Sequence, residues 1–308
     1  LFRSLFIERA IKSFRPDLIH VLETQNGGYP FALAANRLAS AGQKLPKTML
    51  TLFGSDLYWF RQFPSHLGQI KKLLEYVSLM SAECARDLNF AREFGFKGDS
   101  LPLIPVAGGL PDELVILPES QSEFDRRKSI AVKGYGRPWG LGHKAITELA
   151  ALSDELKEFR IEVFSASRST ARFAKKTLAS AELNFSIYKK FELNHDQMLS
   201  LYRRSRIYVG LSKSDGLPAS MLEAMSQGCY PIQSSSACFE GWVEPGSTAA
   251  IVDNERAGDL RNAILSSLRD TDRLQRVQRI NLATIQEKYS TSALLVKGAF
   301  TYSELLKP

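Results

Sequence analysis

The stretch Ser212-Lys213-Ser214-Asp215-Gly216-Leu217-Pro218-Ala219-Ser220-Met221-Leu222-Glu223-Ala224-Met225, followed by Gly228, decides the reading of this chain. An apolar run, Arg206–Leu211, reads as a buried strand that ends just before it. A glycine-bearing loop then turns, and Ala219–Gln227 reads as a helix. The start of that helix offers backbone N–H groups without intrahelical partners and the positive end of a dipole, both suited to a diphosphate. At 3.6 residues per turn, Ser220 and Glu223 share a face near the helix start. Glu223 there can accept hydrogen bonds from a ribose diol, while Asp215 in the loop can reach sugar hydroxyls. A carboxylate that merely complements the helix dipole fits the spacing equally well.

Outward from this block, strands and helices alternate, which argues an α/β fold with parallel sheets. In the first half Leu18–Leu22, Thr48–Leu52, Val77–Ala82 and Leu101–Pro105 read as strands, with helices at Pro30–Ala41 and Ser65–Glu75. Pro111, Pro118 and the polar run Glu119–Lys128 interrupt the pattern and read as a linker. In the second half Ser129–Lys133, Arg160–Ser165, Phe185–Tyr188, Arg206–Leu211, Cys229–Ser234 and Ala249–Val252 read as strands. Helices are expected at Gly142–Phe159, Ser169–Ser180, Asp196–Ser205, Ala219–Gln227 and Arg256–Arg269, with two more behind them. The expected domains are 1–117 and 118–288, with a last helix, 289–308, packing back on the first. Ligands bind such sheets beyond the carboxyl ends of the strands. The loops after Leu22, Leu52, Lys133, Leu211 and Ser234 are therefore the candidates.

The chain opens on an expected helix, Leu1–Arg15. Leu1, Phe2, Leu5, Phe6, Ala10, Ile11 and Phe14 form an apolar stripe, expected to dock on the sheet, with a membrane surface as the other use. A helix ahead of the first strand is unusual for a parallel sheet, so an upstream strand is expected and the first domain reads as incomplete.

The chain has 308 residues, 44% hydrophobic and 24% charged, a globular balance that excludes disordered and low-complexity classes. Its formal net charge of +7 is spread along the chain. A basic surface can meet phosphates of any kind, but no nucleic-acid-binding module is recognisable. Three cysteines without C-x-x-C spacing exclude a zinc ribbon and a disulfide framework. A reducing cytoplasm fits them. No apolar run reaches the ~18 residues of a spanning helix.

Asp215 and Glu223, with their surroundings, resemble the E-x(7)-E motif of group-1 glycosyltransferases, the retaining family four of the GT-B fold, with aspartate for the first glutamate. Pro16-Asp17-Leu18-Ile19-His20, Gly54-Ser55-Asp56-Leu57 and Ala107-Gly108-Gly109 resemble further family blocks. Gly54–Trp59, Glu83–Asp87, Lys133-Gly134-Tyr135 and Pro231–Ser234 are similar to a bacterial subgroup that builds lipopolysaccharide and other surface polysaccharides. The resemblance implies two Rossmann-like parallel-sheet domains facing across a cleft. It implies sugar transfer from a nucleoside diphosphate sugar to a glycan or lipid-linked acceptor with retention. No cofactor and no metal are implied, and no convincing metal-ligand set is legible. The setting implied is the cytoplasm, with peripheral contact at the inner leaflet of the cell membrane left open.

By the same resemblance, Asp215, Arg137 and Lys133 are the catalytic candidates. Glu223, Gly216, Leu217, Pro218, Ala219, Ser220, Gly134, Gly136 and Lys144 are assigned to the donor. Asn26, Gly27, Gly28, Ser55 and Asp56 are assigned to the acceptor side. The chain departs from the family at three places. Phe53 replaces a histidine, and Leu141 replaces a lysine; Lys133, Lys144 or His143 could supply the second charge on the diphosphate. Glu240 stands one position from a frequent glutamate.

Other signals carry less. Asp270-Thr271-Asp272 spells a metal–diphosphate motif but falls between helices, where a helix cap is expected. Gly134-Tyr135-Gly136 resembles a dinucleotide turn, yet no acid follows Arg160–Ser165 to hold an adenosine ribose. Arg168, Arg172, Lys175 and Lys176 form a basic helical face, expected to be solvated. His195 is expected at a helix start. Two other functions remain open: a nucleotide-sugar-binding protein without turnover, and a nucleotide-sugar epimerase.

Overall fold

The computed structural model describes residues 2–136 and 138–305. It divides into two compact units, Leu1–Gly108 with Leu294–Pro308, and Gly109–Ala293.

The first unit runs α1 (Phe2–Phe14), β1 (Leu18–Leu22), α2 (Tyr29–Ser40), β2 (Lys47–Thr51), α3 (Ser55–Tyr58), α4 (Pro64–Leu74), β3 (Leu79–Ser81), α5 (Ala85–Glu93) and β4 (Asp99–Ser100). Its four strands are parallel, in the order β1-β2-β3-β4. Leu50, Leu52, Ile70, Leu73, Met80 and Phe31 form the centre of its core.

Two expectations for this unit are corrected. The apolar stripe on α1 docks only through Ile11: Phe2, Phe6 and Phe14 are 91%, 74% and 82% exposed. The face that packs carries Ser4, Ile7 and Ile11, and Glu8 pairs with Arg37 of α2 at 2.6 Å. The fourth strand is Asp99–Ser100, not Leu101–Pro105. Leu101 and Ile104 still donate to Met80 and Ala82 at 2.8 and 3.1 Å. The donors step from Leu101 to Ile104 rather than to Leu103, so the two-residue register of a strand is lost there.

The second unit runs α6 (Gln121–Asp125), β5 (Ser129–Lys133), α7 (Gly142–Ala150), β6 (Arg160–Ala166), α8 (Arg168–Ser180), β7 (Asn184–Lys189), α9 (His195–Arg204), β8 (Ser205–Gly210), α10 (Ala219–Ser226), β9 (Tyr230–Ser234), β10 (Ala250–Val252), α11 (Asp259–Arg269) and α12 (Thr271–Lys288). A last helix, α13 (Thr291–Leu305), begins here and belongs to the first unit from Leu294 on. In that unit Tyr302 Oη meets His20 Nδ1 at 2.8 Å. The helix expected over Gly142–Phe159 stops at Ala150 and continues as turns. Asp270 caps α12, its carboxylate accepting from Arg273 N at 2.9 Å, which accounts for the Asp-Thr-Asp run.

The six strands of this unit are parallel, in the order β10-β9-β8-β5-β6-β7. The chain lays down β5, β6 and β7 in one direction and then returns to place β8 on the other side of β5. The order therefore reverses between β5 and β8. Both strands are buried along their whole length, as expected for the centre of a sheet covered on both faces.

No helix among the described residues is long and apolar enough to cross a membrane.

Candidate functional site

A crevice forms beyond the carboxyl ends of strands where their order reverses, because the loops on the two sides diverge to opposite faces. In the second unit that point lies between the loop after β5 and the loop after β8. The two loops are joined at their bases. Lys213 N donates to Trp139 O at 2.7 Å, and Leu141 N to Leu211 O at 3.1 Å. Gly134 lets the first loop pass close to its neighbour: a Cβ there would lie 2.9 Å from Ala166 Cα and Phe164 O. Gly136 lies beside Ser167, the N-cap of α8.

Across the reversal point Lys133 Nζ donates to Asp215 Oδ2 at 3.0 Å. Lys133 is buried and its ammonium also lies 4.5 Å from the centre of the Tyr135 ring. Burial works against its charge, but the Asp215 carboxylate, Tyr208 and Tyr135 outweigh burial and raise its pKa. Asp215 keeps 32% of its side chain exposed.

The loop after Asp215 is pinned rather than slack. Gly216 O accepts from Cys238 N at 3.1 Å, Leu217 is buried, and Pro218 is the N-cap of α10. Ala219 and Ser220, both partly exposed, present backbone N–H groups that precede any intrahelical acceptor. Ser220 Oγ meets the Tyr208 hydroxyl at 2.9 Å, and burial pushes that phenol up to about 12.

Glu223, one turn further along α10, faces His195, the first residue of α9, with Oε1 3.3 Å from Nε2. Burial holds the Glu223 carboxyl above its ordinary range, opposed by His195 and by the charge of Lys133. The structure therefore brings together Lys133, Asp215, Ser220 and Glu223 with the start of α10.

Other donor-side residues are placed differently. Lys144 donates its ammonium to the backbone carbonyl of Asn254. Asn254 in turn donates to Ser212 O at 2.7 Å, where Ser236 Oγ also donates at 2.5 Å. Lys144 thus ties α7 to the loop after β10, and Asn254 ties that loop to the loop after β8. Arg137 lies outside the described residues.

In the first unit the loop after β1 is a single π-helical turn, Thr24–Gly28. Glu23 adopts φ 67° and its carboxylate accepts from Gln25 N, Asn26 N and Asn26 Nδ2. Asn26 is exposed at the tip, while Gly28 is buried against Leu73. A Cβ on Gly27 would lie 2.3 Å from Leu22 O. Ser55 is half-buried at the start of α3. Asp56 is 3% exposed and points inward. Its oxygens accept from Phe53 N at 3.0 Å and Thr24 N at 3.3 Å, tying the loops after β1 and β2 together. Burial raises its carboxyl to about 7; the Phe53 N–H opposes this and the charge of Asp87 adds to it. Asp56 therefore organises these loops from inside, whereas Asn26 has access to solvent.

Sequence reasoning did not connect His195, Tyr208 or Asn254 with the site. A signal exists for His195: Asn194-x-x-Gln197 is a capping box, which places His195 in the first turn of α9. Nothing in the spacing says which helix it then faces.

Residues 142–282 match the family of glycosyl transferases, group 1. The matched segment holds Lys144, the loop after β8 and both acids of the 215–223 pair. A comparison with curated proteins gives no match. Among solved structures, sucrose-phosphate synthase from Thermosynechococcus elongatus superposes with a TM-score of 0.73 at 16% identity, over 98% of this chain and 77% of that one. Anabaena HepE in complex with UDP and glucose gives 0.72 at 14% identity, over 98% and 81%. The UDP-forming α,α-trehalose-phosphate synthase of Burkholderia xenovorans, in complex with glucose-6-phosphate, gives 0.69 at 14% identity, over 97% and 76%. The fold is GT-B, with two parallel-sheet α/β domains.

Proposed function

We propose that the protein is a glycosyltransferase that moves a hexose-type sugar from a nucleoside diphosphate sugar to a glycan or lipid-linked acceptor, with retention at the anomeric carbon. The observation that carries this reading is the Lys133–Asp215 pair set beside the start of α10, which bears Ser220 and Glu223. This arrangement lies largely in a segment that matches a glycosyltransferase family.

In such a reaction the bond from the anomeric carbon to the diphosphate oxygen breaks, and the acceptor hydroxyl bonds to the same face. Its proton passes to the departing diphosphate. The need is electrostatic: donors and cations fixed in advance where negative charge grows. We assign Lys133, Arg137 and the Ala219 and Ser220 N–H groups to the diphosphate. Glu223 takes the ribose hydroxyls, and Asp215 positions the sugar rather than attacking it. Gly134, Gly136, Gly216, Leu217 and Pro218 shape the walls, and Lys144 supports them. Asn26, Gly27, Gly28, Ser55 and Asp56 belong to loops assigned to the acceptor. No cofactor or metal is assigned. The setting proposed is the cytoplasm, with the acceptor met at the inner leaflet of the cell membrane during lipopolysaccharide or related polysaccharide assembly.

The test is a thermal-shift screen of the purified protein against UDP, GDP and ADP sugars. HepE was solved with UDP and glucose, which puts UDP-glucose first. Product analysis with and without an acceptor follows. Transfer with retention supports the reading. A changed nucleotide sugar without acceptor indicates an epimerase, and binding without any reaction indicates a scaffold. Arg137→Ala is expected to lower turnover more than donor affinity.

A further inference from the structure

We propose that His195 is a positioning residue of the donor site, orienting Glu223 through one carboxylate oxygen so that the other faces a nucleotide's ribose diol. The proposal rests on the donor-site reading above and deepens it.

The contact joins two elements distant in sequence: Nε2 of the first residue of α9 and Oε1 of a residue on α10, 3.3 Å apart. A carboxylate takes only the acceptor role, so Nε2 supplies the hydrogen. One oxygen of Glu223 is then committed, and the plane of the carboxylate is set. A carboxylate held this way loses less side-chain entropy when a ligand binds than one that rotates freely.

The position of His195 is itself over-determined by its loop. Asn194 and Gln197 exchange hydrogen bonds in a capping box, which fixes the first turn of α9. Upstream, Glu192 Oε2 accepts from Lys189 N at 2.6 Å, and Lys190 N donates to Ala166 O at 3.1 Å. Between them Phe191 is held at φ 70°, a left-handed conformation that costs a bulky residue energy. A loop this constrained, ending on a half-exposed imidazole against a half-buried acid, delivers one side chain to one place.

The charge of Lys133 also acts on Glu223. Its ammonium is committed to Asp215. His195 is therefore the group in direct side-chain contact with Glu223.

The test uses the full chain, with His195→Ala and His195→Gln measured by calorimetry. The probes are UDP, GDP and ADP and their 2′,3′-dideoxy counterparts, which lack the diol. For the nucleotide that binds, His195→Ala is expected to weaken the ribonucleotide about tenfold and the dideoxy form little, as for one hydrogen bond to a charged group. Discrimination between the two then collapses. His195→Gln, which offers an N–H at nearly the same reach, is expected to restore it to within about threefold. Undiminished discrimination in His195→Ala overturns the proposal and leaves the donor site standing. Equal weakening of both forms without rescue by Gln also overturns it, because that is a structural effect. Failure of the unaltered protein to bind any of the three diphosphates overturns the donor reading, and the role of His195 with it.

Discussion

Lys133 Nζ sits 3.0 Å from Asp215 Oδ2, and the two residues are 82 apart in the chain. The pair closes the point where the strand order of the second unit reverses. It fixes a cation where the loops after β5 and β8 meet. A charge anchored before any ligand arrives needs no reorganisation when negative charge develops nearby.

Lys133→Ala removes that cation. Turnover is expected to fall about a hundredfold, the usual order for losing one fixed donor at a developing charge. Donor affinity should change less, so the separation of kcat from KM checks the assignment.

Asp215→Asn leaves the buried ammonium without its anion. The cost is expected to be about 1–3 kcal/mol in chemical denaturation, less than for a fully buried pair because Asp215 is one-third exposed. An unchanged denaturation midpoint would show that Lys133 finds another partner.

Glu223→Ala is expected to abolish donor binding, with loss of the thermal shift that the best nucleotide sugar gives the unaltered protein. Glu223→Gln keeps one acceptor oxygen and should retain part of it. Wild-type affinity in the alanine variant would remove the ribose assignment.

Asp56 makes stability depend on pH. Its folded pKa, raised by burial to about 7, exceeds the ordinary value of 3.8, so the folded state holds a proton that the unfolded chain has released between the two. This contribution is present below about pH 4 and is lost as pH rises through about 7. The melting temperature of the unaltered protein should therefore carry a falling component over that window. Asp56→Asn should remove it while costing one of the two accepted backbone hydrogen bonds.

Gly27→Ala tests whether the loop after β1 depends on its tight turn. The added Cβ would meet the backbone oxygen of Leu22 at 2.3 Å, which no side-chain rotation can relieve. A loss of about 1–3 kcal/mol is expected in denaturation, as for other overpacked sites.

The limits of reading the chain alone appear at particular residues. Leu18–Leu22 and Ser129–Lys133 were legible to the residue, because short, mostly apolar runs bounded by turn residues mark strands; the second is buried throughout, whereas the first buries only Val21. The stripe on α1 misled, because a helix hydrophobic on several sides does not say which side is covered; Ser4, Ile7 and Ile11 face inward while Phe2 and Phe6 do not. The resemblance assigned Asp56 to the acceptor side, yet two backbone donors draw it inside. The nine-residue span from Asp215 to Glu223 was legible because both acids belong to one local strand–loop–helix unit.

The amino-acid order by itself determined the alternation of strands and helices, the loop with Asp215, and the helix start with Ser220 and Glu223, because each is set by neighbours within a few turns of chain. Only the tertiary structure decided that Lys133 meets Asp215 and that His195 meets Glu223. Those meetings follow from which strand lies beside which, and pairing in a sheet is settled by packing over the whole unit rather than by any local pattern.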